Sequence, residues 1–167
     1  EFKVWNGQLY FTASAPATGE EIYRIPLSSD FTQTVQPILV ADFVPGTAGT
    51  TYTASSNLAP TPNGIVFRRP TDEFGAEPWV TQGDEGSSQL LADLNPPVFF
   101  DPYDSEIQFL GSTVHEVFFT AFDNPDERTL WRSDGTLSGT VPALLDTSGV
   151  SLDSGALGQA VEFGTLV

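Results

Sequence analysis

Leu9-Tyr10-Phe11-Thr12, Ile65-Val66-Phe67-Arg68 and Val117-Phe118-Phe119-Thr120 are three versions of one short apolar stretch, and their spacing decides how the chain is built. Their third residues, Phe11, Phe67 and Phe119, stand 56 and then 52 residues apart. The triplets Glu21-Ile22-Tyr23, Glu77-Pro78-Trp79 and Thr129-Leu130-Trp131 put an aromatic at 23, 79 and 131, again 56 and 52 apart. Two landmarks that keep the same spacing are the signature of a repeat architecture. A third landmark follows at Leu39-Val40-Ala41-Asp42-Phe43 and Leu90-Leu91-Ala92-Asp93-Leu94, and in weaker form at Leu144-Leu145-Asp146.

Between the landmarks lie Gly, Pro, Asn and Asp, and the landmarks themselves are rich in β-branched and aromatic residues. Each unit therefore reads as a strand, a turn, a second strand carrying the aromatic, a polar turn and a third strand, an antiparallel meander. No long stretch has apolar residues at helical spacing, and 13 prolines would interrupt most helices. A fourth strand per unit is expected in the linking pieces at 51–58, 106–110 and 158–167. If each unit borrows that strand from the piece before it, the first unit lacks one and the chain end has one to spare. The expected fold is all-β: one repeat domain over 1–167, with three four-stranded antiparallel units near 1–54, 55–110 and 111–167.

The composition is that of a globular chain with a strongly acidic surface. Six basic residues face 22 acidic ones, for a formal net charge of −16. Nucleic acid and anionic membrane would be repelled, whereas cations are favoured company. With no cysteine, disulfide frames and thiolate metal sites are excluded. No run of roughly 18 apolar residues exists to span a bilayer as a helix. The sequence opens on Glu rather than Met, which suits a mature product or a piece of something longer.

Leu130-Trp131-Arg132-Ser133-Asp134-Gly135-Thr136, followed by Gly139-Thr140, resembles the Glu-Leu-Trp-x-x-Asp-Gly-Thr repeat family of large bacterial surface and secreted proteins. Residues 42–49, Asn57-Leu58 and Asn63-Gly64 look like that family's inter-repeat segment, and residues 6–13 like its first strand. The middle copy keeps Glu77 and Trp79 but reads Gln82-Gly83-Asp84 at the turn, and the first keeps Glu21 but has Tyr23 and then Pro26-Leu27-Ser28. The resemblance implies β-propeller-like blades in multi-copy arrays, a cell-surface or extracellular setting, and no reaction. Propellers carry about 4–8 blades, so three units make an incomplete ring or part of a larger array. Open sheet edges would favour association with further copies.

Several residues invite a functional reading. Tyr23, Trp79 and Trp131 could stack on sugar rings, but one aromatic per unit in one register suits packing between units, together with Phe11, Phe67 and Phe119. Trp5 lies outside that register and is the better candidate for an exposed contact. Asp134-Gly135-Thr136 reads as a turn in which Asp accepts a backbone hydrogen bond, Gly takes a positive φ and Thr opens the next strand. Asp123, Asn124, Asp126 and Glu127 form an acidic loop that could offer oxygens to calcium, the one cofactor this sequence suggests. Asp72-Glu73 with Glu77, and residues 101–106, are further acidic groups. Solvated acidic turns are the simpler reading of all three. His115 is the single histidine and has no nucleophile elbow beside it.

These features favour a non-enzymatic extracellular structural or surface component that self-associates into a larger array or filament. The alternative is a propeller-type binding module for carbohydrate or calcium.

Overall fold

A computed structural model describes residues 2–28, 30, 32–46, 58–96, 104–124 and 127–143. They form three four-stranded antiparallel sheets and no closed barrel or ring. The first sheet contains β1 (Phe2–Trp5), β2 (Gln8–Ala15), β3 (Gly19–Pro26) and β4 (Ile38–Leu39), in that spatial order. The second contains β5 (Leu58–Thr61), β6 (Gly64–Thr71), β7 (Gly75–Thr81) and β8 (Gln89–Leu90), with a single 3-10 turn at Glu85–Ser87 before β8. The third contains β9 (Gln108–Ser112), β10 (Val117–Asn124), β11 (Glu127–Ser133) and β12 (Val141–Pro142). Neighbours in sequence are neighbours in space throughout, the simplest solution for short connections.

The register explains why two landmarks share one spacing. Phe11 pairs directly with Tyr23, Phe67 with Trp79, and Phe119 with Trp131. The rows extend across each sheet: Phe2, Phe11, Tyr23 and Leu39; Leu58, Phe67, Trp79 and Leu90; Phe109, Phe119, Trp131 and Pro142. Each unit is thus one sheet crossed by one apolar row, and cross-strand pairs of this kind are what stabilise a sheet.

For the second and third units the fourth strand lies at or next to the linking piece before the unit, β5 sharing Leu58 with 51–58 and β9 sharing 108–110 with 106–110, whereas the first unit has a strand of its own. The fourth strand opens each unit, at Phe2–Trp5, Leu58–Thr61 and Gln108–Ser112, so the first unit lacks nothing. The physical cause is the dipeptide Asn6-Gly7. With φ of 45° and 70°, both residues take the left-handed conformation that a two-residue hairpin loop requires, and Trp5 closes the hairpin against Gln8. Residues 51–57 and 158–167 lie outside the described residues. The third sheet begins at Gln108, ahead of position 111.

The sheets stack face to face in chain order, with the middle one covered on both sides. Along β6 the side chains alternate: Ile65 and Phe67 join Tyr10, Ile22 and Phe43 in the core between first and second sheets. Val66, with Val80 from β7, joins Val117, Phe119 and Ala121 in the core between second and third. Strands buried on both faces read as continuous apolar runs, because neither face needs polar residues. That is why Ile65-Val66-Phe67 are all fully buried.

Candidate assembly interface

The two interfaces between sheets follow one rule. In each, the turn after the third strand of the later unit is seated against the earlier unit. At the first interface, a Cβ on Gly83 would stand 2.4 Å from the Tyr10 hydroxyl oxygen, and Arg24 Nε donates to the Gly83 carbonyl at 3.0 Å. At the second, a Cβ on Gly135 would stand 2.3 Å from Thr61 Oγ1, and Asn63 Nδ2 donates to the Asp134 carbonyl at 3.0 Å. Gly83 and Gly135 hold φ of 104° and 89°, so glycine is demanded by conformation as well as by space. Each turn is braced alike, by Thr81 Oγ1 accepting from Gly83 N and Ser133 Oγ accepting from Gly135 N, both at 3.1 Å.

Asp134-Gly135-Thr136 is this turn: Asp134 Oδ1 accepts from Thr136 N at 2.9 Å and Thr136 Oγ1 at 2.7 Å. Thr136 does not open a strand, because its hydroxyl is committed to the turn and β12 begins at Val141. Trp5 is half-buried rather than an outward contact. Its indole Nε1 donates to the Thr61 carbonyl of the second sheet at 2.8 Å, and its ring meets Tyr10 edge-on. The strand missing from the sequence reading is what carries Trp5 to this place.

Arginine and buried glutamates fasten the linkers. Arg69 lies 4.4 Å from the Trp79 ring and 5.1 Å from the Phe43 ring, and donates to the Phe43 carbonyl at 3.2 Å. Burial holds its pKa below the usual arginine range. Glu21 and Glu77, at equivalent positions, are both 0% exposed. Glu21 accepts from Val44 N at 3.3 Å; Glu77 accepts from Leu94 N at 3.0 Å and from the Ser105 hydroxyl. Glu77 therefore grips both ends of the linker between second and third units. Burial raises its pKa from 4.5 to about 7, against the lowering effect of those two hydrogen bonds. Such a value suits a general acid. Glu77, however, is sealed from solvent with both carboxylate oxygens engaged, which is the arrangement of a clamp.

The remaining sequence candidates are dispersed. Phe67 and Phe119 are fully buried, whereas Phe11, Tyr23, Trp79 and Trp131 are half-buried, with Trp79 and Trp131 packed against the two cores. Asp123 is half-buried on β10; Asp126 and the side chains of Asn124 and Glu127 lie outside the described residues. Asp72 and Glu73 are exposed in the β6–β7 turn. Asp104 is paired with Arg68 and Glu106 with Arg128, the latter at 3.0 Å, while 101–103 lie outside the described residues. Among the described residues, no group of three or more His, Cys, Asp or Glu could hold a metal, and no helix is long and apolar enough to cross a membrane. His115 is exposed in the turn that leads into β10.

The fold and interfaces define a class: an all-β repeat of four-stranded antiparallel units, consistent with incomplete propeller-like blades, joined by a recurring contact. No family model matches the chain, and no curated protein or solved structure shows significant similarity to it.

Proposed function

We propose that this chain is a non-enzymatic structural module of an extracellular or cell-surface assembly, whose repeat units associate with further copies into an array or filament. The resemblance to the Glu-Leu-Trp-x-x-Asp-Gly-Thr repeats supports the setting. The observation that carries the reading is the mismatch between sequence pattern and coverage. All three units carry apolar residues on both faces of the second strand, yet among the described residues the first and last sheets are covered on one face each. Phe11, equivalent to the buried Phe67 and Phe119, is half-buried, and Phe2 and Val4 on the same outer face are 67% and 57% exposed. Apolar patches of this kind mark association surfaces.

Sedimentation velocity over a wide concentration range, with electron microscopy of the same samples, tests the proposal. Species that grow with concentration are expected. A compact monomer at every concentration and salt level would overturn it.

A second reading, a carbohydrate-binding module, takes its support from an open cavity of about 520 Å³ lined by Val44, Arg68, Thr71, Asp72 and Asp104. Charged and hydroxyl groups beside an apolar floor could hold sugar hydroxyls. Binding on a glycan array, lost in Asp72→Ala, would favour it; a blank array removes it.

A further inference from the structure

The outer face of the third sheet repeats, position for position, the face by which the first two sheets hold their successors. In the first sheet Tyr10 pairs with Arg24; in the third Phe118 pairs with Arg132. Arg24 is steadied by Gln8, whose Oε1 accepts from Nη1 at 3.1 Å, and its Nε takes the carbonyl of the next unit's turn. Arg132 is steadied in the same way by Glu116, which stands where Gln8 stands, 108 residues on. Asn63, the other residue that donates to a following turn, has its counterpart 52 residues later in His115, and Thr61 has its counterpart in Thr113. Thr113, His115 and Arg132 are all exposed, and Val114 between them is 69% exposed.

The opposite end of the stack supplies the complement. The outer face of the first sheet presents Phe2, Phe11, Tyr23 and Leu39 as one row, with ring centroids 5.5 Å apart for Phe2 and Phe11 and 6.2 Å for Phe11 and Tyr23. The equivalent rows of the second and third sheets are the surfaces that pack on their predecessors. Position 27, where the other two units have Gly83 and Gly135, is Leu27, 44% exposed. Leu27 offers an apolar side chain in place of a close backbone approach. Phe118 and Val114 are the apolar partners available to it, and Phe118 lacks the hydroxyl with which Tyr10 crowds Gly83.

We propose that copies of this chain join head to tail, the outer face of the third sheet in one copy receiving the outer face of the first sheet in the next. Arg132 and His115 take backbone carbonyls of the turn around Leu27, and Phe118 and Val114 cover Leu27 and the Phe2 row. The contact continues the interface already used twice within the chain. It is heterologous, so each copy keeps one free end of each kind and growth proceeds until a ring closes or a filament forms. With −16 on every copy, the joint forms more readily as salt screens the repulsion. This inference rests on the proposed assembly function and specifies its joint.

Two surface substitutions test it, Val114→Glu at one end and Phe2→Glu at the other, each at an exposed site and checked for native circular dichroism. Sedimentation velocity at high salt is expected to show wild-type oligomers, with association weakened at least about tenfold in either variant alone. An equimolar mixture of the two variants is expected to form a 1:1 dimer and stop there, because each retains the end that the other has lost. Arg132→Ala gives a second measure at the same joint, with a similar weakening. If wild type and all variants assemble alike, or the mixture stays monomeric while wild type assembles, the head-to-tail joint is wrong and the assembly function stands. A wild type that remains monomeric points to cover from within the same chain and overturns both.

Discussion

Replacing Glu77 with Gln isolates the contribution of one buried carboxyl to stability. In the folded chain Glu77 has a pKa of about 7, against 4.5 for an ordinary glutamate, because burial disfavours its charge. The folded state therefore binds the proton more tightly than the unfolded chain. The resulting stabilisation is complete below pH 4.5, declines as the pH rises, and is gone once the pH has passed about 7. Linkage over that interval gives a loss of about 2–3 kcal/mol between pH 5 and pH 8 from this group alone, an upper value because water penetration softens burial. Gln at this site can still accept from Leu94 N through its oxygen and can donate to the Ser105 hydroxyl through its amide, so both linker contacts survive without a charge. Urea unfolding followed by tryptophan fluorescence is the assay, at pH 5 and pH 8. Wild type is expected to lose stability over that range, and E77Q to lose about 2 kcal/mol less. Glu73→Gln, which removes one acid from an exposed turn, controls for net charge and should track wild type. If E77Q falls with pH as steeply as wild type, Glu77 does not titrate as its burial dictates and the clamp account fails.

Other consequences follow from the same geometry. Gly135→Ala forces a side chain into the left-handed region and onto Thr61, and should lower stability by about 2–4 kcal/mol in thermal or urea melts, with Gly83→Ala close behind. Leu27→Ala, at the equivalent but exposed position, should change the monomer's stability by less than about 0.5 kcal/mol. Phe119→Ala should cost about 3–5 kcal/mol and Phe11→Ala clearly less, since only the former is packed on a preceding sheet. Trp5→Phe leaves the Thr61 carbonyl without its indole donor and should cost about 1 kcal/mol, read by urea unfolding.

Much of the fold was legible because period and pairing coincide. Phe11 and Tyr23 keep the same spacing to their counterparts because they face each other across one hairpin, so any drift between them would break the sheet. The outer strand was less legible. Phe2–Trp5 is short and its one strong signal is the turn Asn6-Gly7, which also fits a linker until a strand is placed on either side of it. Trp5 reads as an exposed contact from sequence for the same reason: without β1, nothing carries it to Thr61. Gly135 could be read as a turn residue from sequence, but its second duty, admitting Thr61 and Asn63 of the preceding unit, depends on contacts across more than 70 positions. Glu77 looked like one of many acids; its burial is set by the linker segments that close over it, and composition carries no trace of that. The acidic loop 123–127, whose ligand count suggests calcium, has residues 125–126 and the side chains of Asn124 and Glu127 outside the described residues.

The central claim is that one interface recurs, a glycine turn of each later unit pressed on the unit before it. Nuclear Overhauser spectroscopy on the labelled chain examines both instances at once. Cross-peaks are expected from the Gly83 α-protons to the Tyr10 ring and from the Gly135 α-protons to Thr61. Intact hairpin cross-peaks within each sheet, with both of these inter-sheet cross-peaks missing, would show three units that do not stack and would contradict the account.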